Sequence, residues 1–408
     1  MKEKFLIPTI DNVEVSYFCG NSLGLQPKNV RKELDIFLND WANYGVEGHF
    51  TGENNWYSYH NQCVPMLSNL VGAVENEVAC MNSLTVNLHL LLQSFYQPKK
   101  EKNKILVDYP LFPSDKFALE SHIHTRGLQP EGVLIYIKPQ KFQDYISTDE
   151  ILEAIHINKM ELSLVLLSGV NFYTGQFFDI QKISQSVHKT DAHFGLDLAH
   201  AIGNVPLELN NWNVDFATWC SYKYLNSGPG GVSGIYVHQK HHHPKISRFE
   251  GWWGHNDKTR FGIDIPFDPM PGANAWQLSN APISQMVMHK ASLKIFDEIG
   301  MKELRNDSII LTQYLEKGIN KILDIQPALG IKIITPSNTN ERGCQLSLKV
   351  QKFGKELVDF LKSNKIIVDW REPNVLRVAP VPLYNTTSDI DLFLEKMETF
   401  VRYKTKIN

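Results

Sequence analysis

The sequence predicts an α/β fold: a large, mostly parallel sheet with a smaller α+β unit behind it in the chain. Three observations carry this. Between about residues 80 and 240, short β-branched runs alternate with helix-period segments, the rhythm of parallel strands joined by helical crossovers. After about residue 300 that rhythm gives way to one long helix pattern, several short strands and two further helices. A length of 408 residues is enough for two or three domains.

The elements follow in order. The first fifty residues include "FCGNSLGLQP", a loop-rich segment with no place in the sheet, expected to pack with the smaller domain. The strand candidates are "KILVD", "VLIYIK", "LSLVLLSGV", "HFGLDLA", "DFATWCSY" and "GVSGIYVHQ". "TVNLHLLLQSFY", "SDKFALESHIHTRG" and "DIQKISQSVHKTD" supply helices between them. Such a sheet is covered on both faces, and ligands bind beyond the carboxyl ends of its strands. An apolar helix from about Pro282 to Ile299 links to the second unit. There "MKELRNDSIILTQYLEKGINKIL" precedes "IKIIT", "CQLSLKV", "KIIVDW" and "VLRVAP". The expected division is 1–50, 51–290 and 291–408.

Composition narrows the function. With 43% hydrophobic and 21% charged residues and a net charge of −3, no global field calls for nucleic acid or an anionic membrane. "MKEKFLIPTI" lacks an apolar signal core, and "LSLVLLSGV" is too short to span a bilayer. Five scattered cysteines without CxxC spacing fit reduced thiols, so a soluble cytoplasmic protein is expected.

Chemistry is expected at strand ends. In "GLDLAHA", Asp197 and His200 interrupt an apolar strand; alone they read as a helix cap and a core histidine. In "YKYLNSGPGG", Lys223 follows a strand-like run, where it either snorkels from an edge or is held for covalent chemistry. A lysine amine attacks carbonyls when its surroundings keep it neutral. In "CMNSLTVNLH", Ser83 and Thr85 open a helix, either as ordinary caps or as an anion site. Together these are an amine for an aldehyde, a carboxylate for a ring nitrogen and a cradle for a phosphate. One cofactor needs all three, pyridoxal 5′-phosphate.

The chain also resembles the kynureninases, fold-type I pyridoxal-phosphate enzymes, nearly from end to end. The matching segments are "FCGNSLGLQP", "NSLTVNLH", "FPSDKFA", "SGVNFYTGQFFDI", "GLDLAHAIGNV", "CSYKYLNSGPGG", "GWWGH", "SNAPI" and "RVAPVPLYNT". The resemblance implies a seven-stranded large domain, a homodimer with active sites at the subunit interface, and hydrolysis of L-kynurenine to anthranilate and L-alanine in tryptophan catabolism or NAD biosynthesis. It makes Lys223 the cofactor-bonding lysine, Asp197 the partner of the ring nitrogen and His200 a neighbour of the ring. Leu84, Thr85 and Tyr222 match the phosphate site, with Tyr222 also a general acid/base. Phe112 would lie on the ring face, with Pro113, Ser114, Asp115 and Ser168 nearby. Trp252 and Asn280 would reach the partner's cofactor, Arg377 would hold the substrate carboxylate, and Ser22, His49 and Tyr173 would face the substrate's aromatic end. Phe117 stands where many relatives have tyrosine, and the residues after His49 depart from the family pattern, which leaves open the choice between kynurenine and 3-hydroxykynurenine.

Two signals point elsewhere and are set aside. The run "KHHHPK" looks metal-like, but consecutive histidines do not converge on one ion, so no metal is expected. "GPGGVSG" is glycine-rich without nucleotide-loop spacing. The rivals are an aminotransferase or cysteine desulfurase on the same fold, and a non-catalytic scaffold.

Overall fold

The computed structural model describes residues 1–243, 245–325 and 330–407. It begins with the short strands β1 (Thr9–Ile10), β2 (Val13–Glu14) and β3 (Ser16–Tyr17), then helices α1 (Val30–Tyr44) and α2 (Val64–Val71). The large unit follows as β4 (Val78–Cys80), α3 (Leu84–Phe95), β5 (Lys104–Asp108), α4 (Pro113–Thr125), α5 (Pro130–Val133) and β6 (Leu134–Ile137). It continues with α6 (Thr148–Asn158), β7 (Leu162–Ser168), α7 (Ile180–Val187), β8 (His193–Asp197), β9 (Phe216–Trp219) and β10 (Gly234–Val237). After α8 (Ile283–Ile299) and α9 (Met301–Ile325) come β11 (Ile331–Ile333), β12 (Leu346–Val350), α10 (Gly354–Ser363), β13 (Ile366–Ile367), β14 (Asp369–Arg371), β15 (Val375–Val378) and α11 (Thr387–Ile407).

The large sheet has seven strands in the order β4-β10-β9-β8-β7-β5-β6. The pairs from β6 to β9 are parallel, while β10 runs antiparallel to both β9 and β4. Its strands are apolar through their middles because both faces are covered, and polar residues such as Asp108, Ser168, His193 and Asp197 stand at their ends. Along β7, Leu164 and Leu166 enter one core and Val165 and Leu167 the other, the period-two alternation of a strand. All six strand runs of the large unit form strands, mostly trimmed at their ends. The seventh, β4, is only three residues long and had no signature of its own. "KIIVDW" divides: β13 pairs in parallel with β3, whereas β14 joins β15 in a four-stranded sheet ordered β11-β12-β15-β14.

The N-terminal segment touches both units. Phe18 is buried in the core built by α9, α10, α11 and the four-stranded sheet. Gly24 lies against the turn after β9, where its N–H donates to the Tyr222 carbonyl at 2.8 Å. A Cβ on Gly24 would come within 2.2 Å of the Lys223 carbonyl oxygen, so only glycine allows this approach.

That turn is braced from α8. The Ser227 hydroxyl lies 3.1 Å from the Leu225 carbonyl and 2.6 Å from His289 Nδ1. His289 is fully buried, and burial pushes its pKa down to about 3. A folded-state pKa below the unfolded value means that the unfolded chain binds the extra proton. Stability from this group is therefore full above about pH 6.5 and falls as pH drops toward 3. His289→Gln, which keeps a donor to Ser227, should flatten the dependence of unfolding free energy on pH by about 1.4 kcal/mol per unit between pH 6 and 4. Denaturant titrations at several pH values check this.

Candidate active site

The carboxyl ends of β5, β7, β8 and β9 converge on one cavity that is partly open to solvent. The register places Ser168 opposite Asp197, and Asp197 opposite Thr218. Cys220, Tyr222 and Lys223 follow directly from β9 and complete this wall, with Val170 and Phe172 beyond β7. The far side is formed by Leu84 and Thr85 at the start of α3, and by Phe112 and Ser114 at the start of α4. Two larger clefts, about 1,280 and 1,040 Å³, lie elsewhere, and neither brings an amine and a buried carboxylate to paired helix starts.

Lys223 is buried, with Nζ 2.9 Å from His200 Nε2 and 5.6 Å from the centre of the Phe112 ring. It is no snorkelling edge residue. The His200 pKa lies well below the usual imidazole value, through burial first and the Lys223 charge second. A neutral His200 accepts at Nε2 from Lys223 and carries its proton on Nδ1, which has no partner among the described residues.

Asp197 is buried at the end of β8 and accepts from the Ala199 N–H at 2.7 Å. Burial raises its pKa, against the charge of Lys223 and a hydrogen bond from Asp115. Asp115 is pushed up further, by burial and then by the charge of Asp197. Two adjacent carboxylates cannot both ionise in a buried site. Asp115 holds the proton and donates, leaving Asp197 the anion. Behind them the buried Asp108 accepts from the Ser168 N–H at 2.9 Å and the Asn171 amide at 2.8 Å, fixing the loop after β7.

The helix starts are open. Neither Ser83, the N-cap of α3, nor Phe112, the N-cap of α4, makes a side-chain capping bond. The Thr85 and Ser114 hydroxyls meet at 2.5 Å between the two helices. Uncapped N–H groups, two helix dipoles and two hydroxyls make an anion cradle. The Tyr222 phenol is raised by burial first and then by the neighbouring Cys220. An amine, an anionic carboxylate and a cradle around one cavity, with unpartnered polar atoms on Asp115 and His200, fit a phosphorylated pyridine aldehyde.

Of the residues named from sequence, Leu84, Thr85, Phe112, Ser114, Ser168, Asp197, His200, Tyr222 and Lys223 line this cavity. Pro113 opens α4, and Asp115 is buried beside Asp197 without lining the cavity. Arg377 on β15 does not line the cavity; it is fully buried, with one terminal nitrogen 2.9 Å from the Phe172 carbonyl and the other 2.6 Å from Asp369. Tyr173 packs edge-on to Phe172 at 6.1 Å, and Ser22 is half-buried in the turn after Cys19. His49 lies in a different aromatic cluster, 5.2 Å from Trp56. Asn280 is exposed, and Trp252 is 46% exposed. Within one chain none of these last six residues lines the cavity. Sequence reasoning missed Val170, Phe172, Ala199 and Cys220. Phe172 could have been found, since it follows the end of β7 by four residues.

Residues 304–397 match a family model described as the kynureninase C-terminal domain. The kynureninase of Flavobacterium johnsoniae is 47% identical over 390 residues, covering 95% of this chain and 92% of that protein. The kynureninase of Xanthomonas campestris pv. campestris is 43% identical over 403 residues, covering 98% and 94%. Among solved structures, an apo cysteine desulfurase from Thermococcus onnurineus superposes with a TM-score of 0.76 at 17% identity, covering 95% of each chain. A complex of the cystine C-S lyase C-DES with cysteine persulfide gives a TM-score of 0.79 at 17% identity, covering 96% of this chain and 99% of the other. These structures share the fold, whereas the kynureninases share the sequence across its length. The chain belongs to the kynureninase family.

Proposed function

We propose that this chain hydrolyses L-kynurenine to anthranilate and L-alanine with pyridoxal phosphate, at the cavity between β5, β7, β8 and β9. The observation that carries the reading is the placement of Lys223 and Asp197 on one cavity that opens onto two uncapped helix starts. Lys223 anchors the cofactor, Asp197 pairs with its ring nitrogen, Phe112 covers a ring face, and Leu84, Thr85, Ser114 and Tyr222 surround its phosphate. When bound, the cofactor supplies the aldehyde that takes up the substrate amine and the electron sink that makes the bond between the β and γ carbons breakable.

The chain's own residues do the rest. Lys223, once released, moves the proton at the substrate α carbon, and His200 keeps its amine oriented. Asp115, by holding its proton, keeps Asp197 anionic. Arg377 receives the substrate carboxylate; bonds from its terminal nitrogens to Asp369 and the Phe172 carbonyl preset its orientation, and its Nε has no partner among the described residues. Tyr222 holds the proton needed at the γ-ketone as water adds. Ser22, His49 and Tyr173 face the aromatic end of the substrate.

Trp252 and Asn280 act on the cofactor of a second copy. Exposed Trp252, Phe261 and Ile263 on one segment support a homodimer. A cytoplasmic location is supported by five free, buried cysteines; among the described residues no helix is long and apolar enough to cross a membrane. Burial of every cysteine also argues against a desulfurase, whose sulfur carrier must move.

Equimolar release of anthranilate and alanine from kynurenine tests the reading. A keto-acid product without anthranilate would replace it with transamination. Arg377→Lys loses the planar fork, and kcat/KM for kynurenine should fall about 10- to 100-fold, chiefly through KM, with cofactor binding unchanged. Steady-state kinetics beside the cofactor absorbance check this.

A further inference from the structure

We propose that His193, Asp215 and His241 form a binding site for a transition-metal dication, Zn²⁺ above all, on the edge of the large sheet opposite the active site. His193 opens β8, Asp215 immediately precedes β9, and His241 lies in the turn after β10. The five residues of β8 put about 13 Å of strand between His193 and Asp197. This site is thus separate from the cofactor cavity.

One ligand atom from each of the three residues lies within 4.8 Å of the other two. Asp215 is buried, and its Oδ2 is fixed by the Phe194 N–H at 2.7 Å, which turns Oδ1 toward His241 Nε2 at 2.7 Å. The Phe95 ring stands edge-on to both imidazoles, 5.4 Å from His193 and 5.0 Å from His241. A simple ion pair between Asp215 and its neighbours would need only His241 and Lys240. It leaves His193 unexplained, because that ring makes no hydrogen bond among the described residues although it faces the same carboxylate.

Two imidazoles and a carboxylate are the donor set of zinc and its neighbours rather than of magnesium or calcium. Tetrahedral zinc needs ligand atoms roughly 3.3 Å apart, reached from the present spacing by small side-chain rotations. His193 also borders the cleft of about 1,040 Å³, which gives water access to a fourth position. Lys240 Nζ now touches Asp215 Oδ1 at 2.7 Å, but it also bonds Asn213 Oδ1 at 2.7 Å and can stay there when an ion takes the carboxylate. The histidine run set aside above does not converge on an ion by itself: His242 Nε2 bonds the Val237 carbonyl at 2.9 Å, and Pro244 lies outside the described residues. Convergence comes from residues far apart in sequence.

The ion would tie three strand ends together, so its readout is binding and thermal stability. Chelator-treated holoenzyme should retain one Zn²⁺ per chain more than the His193→Gln variant after equilibrium dialysis at micromolar zinc. His241→Gln should lose the same ion, whereas the double variant His242→Gln, His243→Gln should keep it. Zinc should raise the melting temperature of the parent by a few degrees (about 2–5 °C) and leave that of His193→Gln unmoved. Kynurenine cleavage should be unchanged in His193→Gln. Equal zinc retention by parent and His193→Gln, or loss of the ion in the His242/His243 double variant, would overturn the proposal.

Discussion

Lys223→Ala is expected to lose kynurenine cleavage by at least ~10⁴-fold, the scale on which removal of a covalent nucleophile acts. The proposed function puts two roles on this one amine, cofactor anchoring and proton transfer at the α carbon, and among the described residues nothing else at the cavity can take both. His200, its neighbour at 2.9 Å, is buried with its pKa well below the ordinary value and makes a poor base. The loss should come without unfolding. Lys223 closes no packing core, and the turn around it is held by backbone bonds such as Asn226 N–H to the Lys223 carbonyl at 3.0 Å. Circular dichroism and a single-turnover assay with added cofactor check both halves. Turnover within tenfold of the parent would remove Lys223 from the chemistry.

Asp197→Ala should weaken cofactor affinity about 10²-fold or more, since truncating one side of a buried, hydrogen-bonded charge pair costs 2–5 kcal/mol. Turnover at saturating cofactor should fall further, because the ring nitrogen loses the anion that keeps it protonated. Asp115→Asn makes the informative comparison. Asp115 serves Asp197 as a proton-bearing donor, and an amide supplies a similar donor without charge. Its loss should stay within about tenfold. Cofactor titration by absorbance, with kcat at saturation, separates the two variants.

Much of this was legible in the sequence, for a physical reason. Doubly covered strands such as β5 and β7 must be apolar along their length, and helical crossovers must follow them, so the runs show. Residues that end such strands face the ligand edge, which is how Asp197, His200 and Lys223 were found, whereas Ser168 came from the family resemblance alone. What stayed hidden depends on contacts distant in sequence. β4 earns its place only by pairing with β10, and "KIIVDW" divides only because β3 offers a second partner. The proton-sharing role of Asp115, the tether of Arg377 to Asp369, and the meeting of His193 with His241 arise from folding alone. Trp252, Asn280 and His49 line no part of the cavity in a single chain, since their places depend on contacts outside the strand ends.

Borohydride reduction of the holoenzyme, followed by proteolysis and mass spectrometry, probes the anchoring amine directly. A pyridoxyl group fixed on the peptide bearing residue 223, and on no other lysine, is what the described geometry requires. Label on a different lysine, or a cofactor that washes away after reduction, would contradict it.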